Sequence, residues 1–436
     1  MIPVIIISSI TFVLIIVFIL FFPHIKIGRI RLDTYWMIAL LGAVILLATS
    51  LAPIDEVGRQ LFSSTSINPI KILVLFFSMT LISVILDELG LFHHLASVAS
   101  KHAKDNQLLL FLALYLLTSV LTVFTSNDVV ILTLTPFICF FSKRSRINPI
   151  PYLVAEFVAA NTWSLMFVIG NPTNIYLATS NGIDFISYLK VMAVPTLVAG
   201  AVELGLLLLI FRKKLKEPLI SCEVIEPLED KLPVFVGVTI LFVCLVFLVI
   251  SSYINLEMWL IALICASTLL LFMLVYSIFK HSNFEHVIET SKRLPYQLIP
   301  FFLSMFVIVV AITAQGINSQ IADLLGDNYT IWVYGYTSFA SSNLINNIPM
   351  SILFTNIISN LTGMAKTEAI YASIIGSNIG AFLTPIGALA GIMFSGLVNE
   401  NNVRFTFVDF IKYGAIISIP VISVALIMTQ LFIFIR

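Results

Sequence analysis

Residues 107–141 read QLLLFLALYLLTSVLTVFTSNDVVILTLTPFICFF, two apolar arms separated by the polar tetrad Thr125-Ser126-Asn127-Asp128. How this stretch sits in a membrane decides the topology of everything after it. Either it crosses once, or it folds back at the tetrad and leaves on the side where it began. Lysines and arginines discriminate between the two, because short cytoplasmic loops collect them. If 107–141 and a second such stretch, 331–362, both fold back, all but five of the 23 basic residues lie on the cytoplasmic side; the exceptions are Arg59, Lys71, Lys190, Lys366 and Arg436. If each crosses once, the middle of the chain inverts. Only eight of the 23 then stay inside, with Lys143, Arg144, Arg146 and the cluster 212–216 outside. The re-entrant reading is preferred, although the arm 107–124 is long for half a hairpin.

Composition supports the membrane setting. Of 436 residues, 59% are hydrophobic and 11% charged. Soluble proteins carry about 25% charged residues, so a water-soluble globule is excluded. Basic and acidic residues balance at 23 each, and no basic excess points to nucleic acid. Residues 2–22 form an apolar run with no basic segment before it and no Ala-x-Ala site after it. A first crossing is expected there rather than a secretory signal. Lys26, Arg29 and Arg31 place its end in the cytoplasm. The later apolar segments lack the alternation of barrel strands and are expected to be helices, since lipid leaves no other open structure for the backbone. Cys139, Cys222, Cys244 and Cys265 show no CxxC spacing and read as packing residues or, for Cys222, a loop thiol.

The expected fold class is an all-α polytopic membrane protein with about ten transmembrane helices plus two re-entrant hairpins, in two inverted-topology repeats. The first repeat spans 1–211, with its hairpin at 107–141 and a broken helix at 151–178. A charged cytoplasmic linker follows at 212–231 (RKKLKEPLISCEVIEPLEDK). The second repeat spans 232–436, with its hairpin at 331–362 and a broken helix at 367–396. The sequence places both termini outside the cytoplasm.

Four polar interruptions carry the chemistry. They are Ser126-Asn127-Asp128; Gly170-Asn171-Pro172-Thr173-Asn174; Asn343 to Pro349, including Asn346 and Asn347; and Gly376-Ser377-Asn378, followed by Thr384-Pro385. A helix stopped in mid-membrane leaves backbone groups unpaired, which is tolerated only where they line a cavity or pack on protein. The bare N-termini suit an anion or an oxygen-rich solute. Unwound carbonyls, with Gly170, Asn174 and Gly376 beside them, suit a cation such as Na⁺. No lysine or arginine lies inside an apolar segment away from its ends, which disfavours a multiply charged substrate held by guanidinium forks. Asp128 is the one acid within an interruption. It could carry a coupling ion, or simply cap a helix beginning at Val129. Glu156 reads as close enough to a cytoplasmic end to reach the interface, and Glu203 as a deeper, hydrogen-bonded acid. Asp87 and Glu88, near His93 and His94, read as a solvated interfacial cluster.

These motifs resemble a known superfamily. Ser126-Asn127-Asp128, running on to Thr135-Pro136, resembles the first hairpin of the ion transporter superfamily. That superfamily includes arsenite efflux pumps, sodium-coupled dicarboxylate and sulfate carriers, citrate–metal carriers and some sodium/proton antiporters. Asn346-Asn347-Ile348-Pro349 resembles the second hairpin. The stretch from Gly376-Ser377-Asn378 through Thr384-Pro385-Ile386-Gly387 to Ala390 is similar to the second broken helix of arsenite pumps. Gly170-Asn171-Pro172-Thr173-Asn174-Ile175 looks like the first broken helix of related anion permeases. Dicarboxylate carriers usually show Ser-Asn-Thr in both hairpins, so Asp128 and Asn346-Asn347 favour the arsenite-pump-like branch. Ile379 stands where that branch carries an acid. The resemblance implies that hairpin tips and broken helices form the site, that a site-bearing domain moves against a scaffold, and that homodimers are common.

The function expected is secondary transport of a small anion or oxyacid, arsenite-like first, coupled to H⁺ or Na⁺. The alternatives are a Na⁺/H⁺ antiporter and a sodium-coupled carboxylate or sulfate symporter. The substrate-binding candidates are Ser126, Asn127, Asp128, Asn171, Thr173, Asn174, Asn343, Asn346, Asn347, Ser377, Asn378 and Thr384. The coupling-ion candidates are Asp128, Gly170, Asn174 and Gly376. No catalytic residue, no metal other than Na⁺ and no other cofactor is expected. The chain carries neither HExxH nor a P-loop, so it does not itself hydrolyse ATP by that route, and the sequence leaves an ATPase partner subunit open.

Overall fold

Backbone groups in long apolar runs have only one another to pair with, and the runs accordingly fold as helices. The structure, a computed structural model, describes residues 1–22, 24–27, 30–62, 68–103, 106–217, 228, 230–280 and 284–434, which include twenty α-helices. The expectations for Arg29, Cys222, Arg436 and linker positions 218–227 lie outside the described residues. One departure from an all-α chain is a two-stranded antiparallel sheet, His24–Ile27 against Ile30–Asp33. It follows the first apolar run, where lipid no longer forces the backbone into a helix. Eight helices among the described residues are long and apolar enough to cross a bilayer. The expected crossings at 151–178 and 367–396 are each built of two shorter helices, Ile150–Trp163 then Pro172–Ser180, and Gly363–Gly380 then Leu389–Glu400.

The α-helices of the two halves match in order. Each has two helices, a short amphipathic one (Ile54–Leu61; Glu285–Arg293), a long one (Pro69–Glu88; Leu298–Ala314) and another short one (Leu91–Ala103; Ile317–Leu325). A helical hairpin, a helix in two pieces and a final long helix follow. The hairpins are Gln107–Phe124 with Asn127–Arg144, and Thr330–Ile345 with Asn347–Ile358. The halves also exchange partners. Thr34–Ala48 packs on Leu298–Ala314, while its counterpart Met258–Phe279 packs on Pro69–Glu88. Asn127–Arg144 packs on Leu389–Glu400, while Asn347–Ile358 packs on Pro172–Ser180. The final helices, Phe185–Phe211 and Phe407–Phe434, pack on each other.

Each hairpin begins and ends at the same end of the molecule. The Tyr152 hydroxyl, just beyond the first hairpin, donates to Gln107 Oε1 at 2.9 Å, where that hairpin starts. Gln107 Nε2 in turn donates to the Glu217 carbonyl at 3.0 Å, tying in the end of the half. The second hairpin repeats the closure: Thr330, its first residue, donates its hydroxyl to Glu368 on the following helix. A single crossing would leave these partners at opposite ends. The chain therefore goes up along the 18-residue first arm and returns along Asn127–Arg144.

The acids at the end of Pro69–Glu88 are not a solvated cluster. Asp87 is buried, and Arg293 of the second half bonds both Asp87 and, at 2.5 Å, Glu88. A guanidinium fork replaces water for two carboxylates at once, and it comes from a residue remote in sequence. Arg293→Met should leave Asp87 buried without its counter-ion. Arg293 is itself partly exposed, which places the cost near the low end for a broken buried pair, about 3 kcal/mol. Thermal unfolding in detergent checks this; an unchanged midpoint would remove the pair from the stability argument.

Candidate functional site

Asparagine sets where the helices around the breaks begin. Asn171 precedes Pro172 and accepts from Thr173 N at 3.1 Å; Asn346 precedes the second hairpin's return arm and accepts from Ile348 N at 3.3 Å. Such side chains satisfy a donor that a starting helix leaves bare. Asn346 has φ +72° and ψ 154°, a conformation rare outside glycine and held here by its surroundings. It also donates from Nδ2 to the Ile386 carbonyl at 3.0 Å, fastening the hairpin tip to the second break.

Four helix starts, at the two hairpin tips and the two breaks, meet at one small cavity of about 10 Å³, room for about one water molecule. Two are hairpin tips, lined by Asn127-Asp128 and Asn347-Ile348. Two are the second pieces of the broken helices, lined by Asn171-Pro172 and Ala388-Leu389. Leu298, the first residue of a further helix, Leu298–Ala314, closes a side. Each helix start presents a partial positive charge of about half a unit. The side chains add acceptors. Asn127 Nδ2 donates to Asn161 Oδ1 at 3.2 Å, which leaves Asn127 Oδ1 buried with no hydrogen-bond partner among the described residues; Asn347 Oδ1 and Ser126 Oγ are in the same position. Buried acceptors left without a donor are costly and call for an occupant that donates. Among the described residues no hydrogen bond or ion pair reaches the Asp128 carboxylate. The helix begins at Asn127, not Val129, so Asp128 lies inside the first turn and does not cap it.

The other expected site residues lie just behind this cavity, in two hydrogen-bonded clusters. Asn378 is the hub of the first. Its Oδ1 accepts from Ser164 Oγ at 2.8 Å and Asn171 Nδ2 at 3.0 Å, and its Nδ2 donates to Asn174 Oδ1 at 2.6 Å and the Ile374 carbonyl at 2.8 Å. Ser377 donates to Thr173 Oγ1 at 3.0 Å, and Asn174 Nδ2 donates to the Ser164 carbonyl at 2.8 Å. In the second cluster Asn343 Nδ2 donates to the Gly380 carbonyl at 3.0 Å, and Thr384 donates to Asn343 Oδ1 at 2.7 Å. These amides spend their capacity on the protein and hold the breaks in shape.

The glycines serve close approach. A Cβ on Gly170 would sit 2.3 Å from the Ser164 carbonyl oxygen; one on Gly376 would sit 2.3 Å from the Gly335 carbonyl oxygen. Small residues on facing helices allow such contact in membranes. Glu156 does not reach an interface: it is buried, and both its oxygens accept from Thr135 Oγ1 at 3.1 Å. Sequence reasoning missed Asn161, Ser164, Leu298 and the pair Ala388-Leu389. Asn161, ten residues before Asn171, could have been found as one more amide near a break. Ala388 and Leu389 contribute only the start of a helix, which no residue type announces.

Comparison with known proteins places the chain among membrane transporters. The citrate transporter family is matched over residues 34–376. An arsenical pump membrane protein of Escherichia coli is 26% identical over 408 residues, covering 89% of this chain and 91% of that protein. An uncharacterized transporter of Mycobacterium tuberculosis is 25% identical over 382 residues, covering 84% and 86%. Among solved structures, the YdaH transporter of Alcanivorax borkumensis, described as having an unusual topology, superposes with a TM-score of 0.55 at 14% identity, over 99% of this chain and 98% of that one. That last likeness is one of fold.

Proposed function

The chain belongs to the citrate transporter family, and on that footing we propose that it is a secondary active transporter of a small oxyacid or anion, with an arsenite-like solute first. The superfamily resemblance read from the four motifs holds, and the protein is a multi-pass membrane transporter. One observation carries the proposal. Four helix N-termini converge on a cavity whose free side-chain groups are carboxamide oxygens and one carboxylate. Helix starts donate, and the oxygens of Asn127, Asn347 and Asp128 accept. A solute bearing hydroxyls, each both donor and acceptor, matches both sets. The described lining holds no lysine or arginine, which tells against a tricarboxylate carried in its charged form.

In this reading the coupling ion is a proton on Asp128. Four positive helix ends disfavour Na⁺ at the same spot, and a lone carboxylate among them has no other counter-charge. Alternating access moves the hairpins and broken helices against the remaining helices. Each half, with its hairpin returning to the side where it began, makes five crossings, so the halves lie inverted and both termini face outside. Cysteines placed at 143–146 and at 212–216 should then react with an impermeant thiol reagent from the cytoplasmic side only. Labelling of the two sets from opposite faces would overturn the topology.

Proteoliposome flux tests the function. Arsenite movement driven by a pH gradient and saturating with concentration is the expected result. Sodium-driven proton movement without any oxyacid would instead identify a Na⁺/H⁺ antiporter.

A further inference from the structure

Outside the cavity lies a buried acid that the proposed cycle does not use. Glu203, on the final helix of the first half, is wholly buried. Its Oε2 accepts from the Thr162 hydroxyl, at the end of the helix that the first break interrupts. That contact sets its depth, level with the break. Its Oε1 is buried with no hydrogen-bond partner among the described residues.

The Glu203 carboxyl lies beside the hydroxyl of Tyr115, on the incoming arm of the first hairpin. That hydroxyl has no proton to spare. Tyr115 donates to the Gly200 carbonyl at 2.8 Å and accepts from Trp163 Nε1 at 3.1 Å. The Tyr115 oxygen keeps one lone pair free. The only proton that can join the two groups is one carried by Glu203 itself. No charged side chain among the described residues bears on Glu203: its neighbours are Thr162 and Trp163 on the broken helix and Tyr115 on the hairpin arm. On the final helix of the other half, which packs against it, no charged residue follows Lys412.

The second half has nothing equivalent. Counting back from the corresponding tip residues Asn127 and Asn347, Tyr115 falls opposite Gly335, where the helices touch through Gly376. Thr162 falls opposite Ile379 when Asn161 is set against Asn378. The polar seam is peculiar to one half, the half that also carries Asp128.

We infer that Glu203 is a proton-binding site, and that its proton fastens the first hairpin to the final helix of its half. With the proton on Oε1, Tyr115 is free to hold the Gly200 carbonyl. Without it, the bare carboxylate draws the Tyr115 proton to itself and the bond to Gly200 opens. Thr162 adjoins Asn161, whose amide holds Asn127 at the cavity, so the change is transmitted to the solute site. This rests on the proton-coupled reading above and adds a second protonatable group to it.

Glu203→Gln fixes the protonated form: its carbonyl can accept from Thr162 and its amide can donate to Tyr115. The full-length variant should fold normally and still bind arsenite, as read by thermal shift. Infrared difference spectra should lose a protonated-carboxyl stretch that Asp128→Asn retains. Flux driven by a pH gradient should fall about tenfold, and the change in exchange rate between mildly acidic and mildly alkaline medium should shrink below about twofold. An unchanged infrared band, or a wild-type pH profile in this variant, would overturn the inference. If Asp128→Asn also blocks flux, the proposed function stands without it. Loss of the band in a protein that moves no oxyacid would sink the function and leave the proton site.

Discussion

Asp128→Asn should abolish gradient-driven accumulation of solute, down to the level of empty vesicles, while leaving the protein folded. The two halves of the prediction come from the same geometry. Nothing in the described structure bonds the Asp128 carboxylate, so replacing it with an amide of the same shape breaks no contact. An acid in the first turn of a helix is stabilised by about 0.3–1 kcal/mol, and the burial cost of its charge opposes that. The unfolding midpoint should move little. Transport is different, because an ionisable group in the middle of a membrane is kept at a cost, and an amide cannot take up and release a proton. Asn347→Ala is the control on the opposite tip. Its Oδ1 has no partner to strand, so flux should fall with folding intact. Retained accumulation in Asp128→Asn would remove that carboxylate from the coupling step.

Asn378→Ala should fail for another reason. This amide makes four hydrogen bonds in a fully buried setting and exhausts its capacity. Its loss strands Asn171 Nδ2 and Asn174 Oδ1. Each stranded buried group costs roughly 1–3 kcal/mol, so the total should approach about 4 kcal/mol. The variant should reach the membrane in reduced amount, unfold at lower temperature and transport little. Comparing thermal unfolding of Asn378→Ala with that of Asn347→Ala separates the two roles; equal midpoints would show that the hub carries no special weight. Asn378→Asp keeps both acceptor contacts but sets a buried carboxylate oxygen against the Asn174 Oδ1 and Ile374 carbonyl oxygens, so it should be destabilised at least as much as Asn378→Ala.

The positions of the breaks were legible in the sequence because polar and glycine residues interrupt apolar runs there, and lipid punishes such interruptions unless they are used. The hairpins were legible through the lysines and arginines, a signal independent of packing. What could not be read was which side of each break faces the cavity. Asn127 and Asn378 look alike in the sequence, yet one leaves an oxygen bare and the other spends everything on its neighbours. Gly376 looked like a cation ligand and is a contact point for Gly335 and Ser338. Asp87 looked solvated because Arg293 lies 206 residues away along the chain. Glu156 looked close to an interface because distance along a helix says nothing about Thr135 on the next one. All of these are pairings between remote positions, and periodicity carries no record of them.

The exchange of partners between the halves bears on how the chain comes into being. Thr34–Ala48 packs on Ile2–Phe21 of its own half but meets Leu298–Ala314 only once the second half is made, and Asn127–Arg144 finds Leu389–Glu400 only after the chain is nearly complete. While the ribosome is still at work, the first ten helices wait in the bilayer with their polar breaks lacking the partners that the second half supplies, Asn378 and Ser377 among them. A premature stop before the last two helices therefore removes far more than a tail: it leaves the earlier half unable to close, and a ready target for membrane quality control.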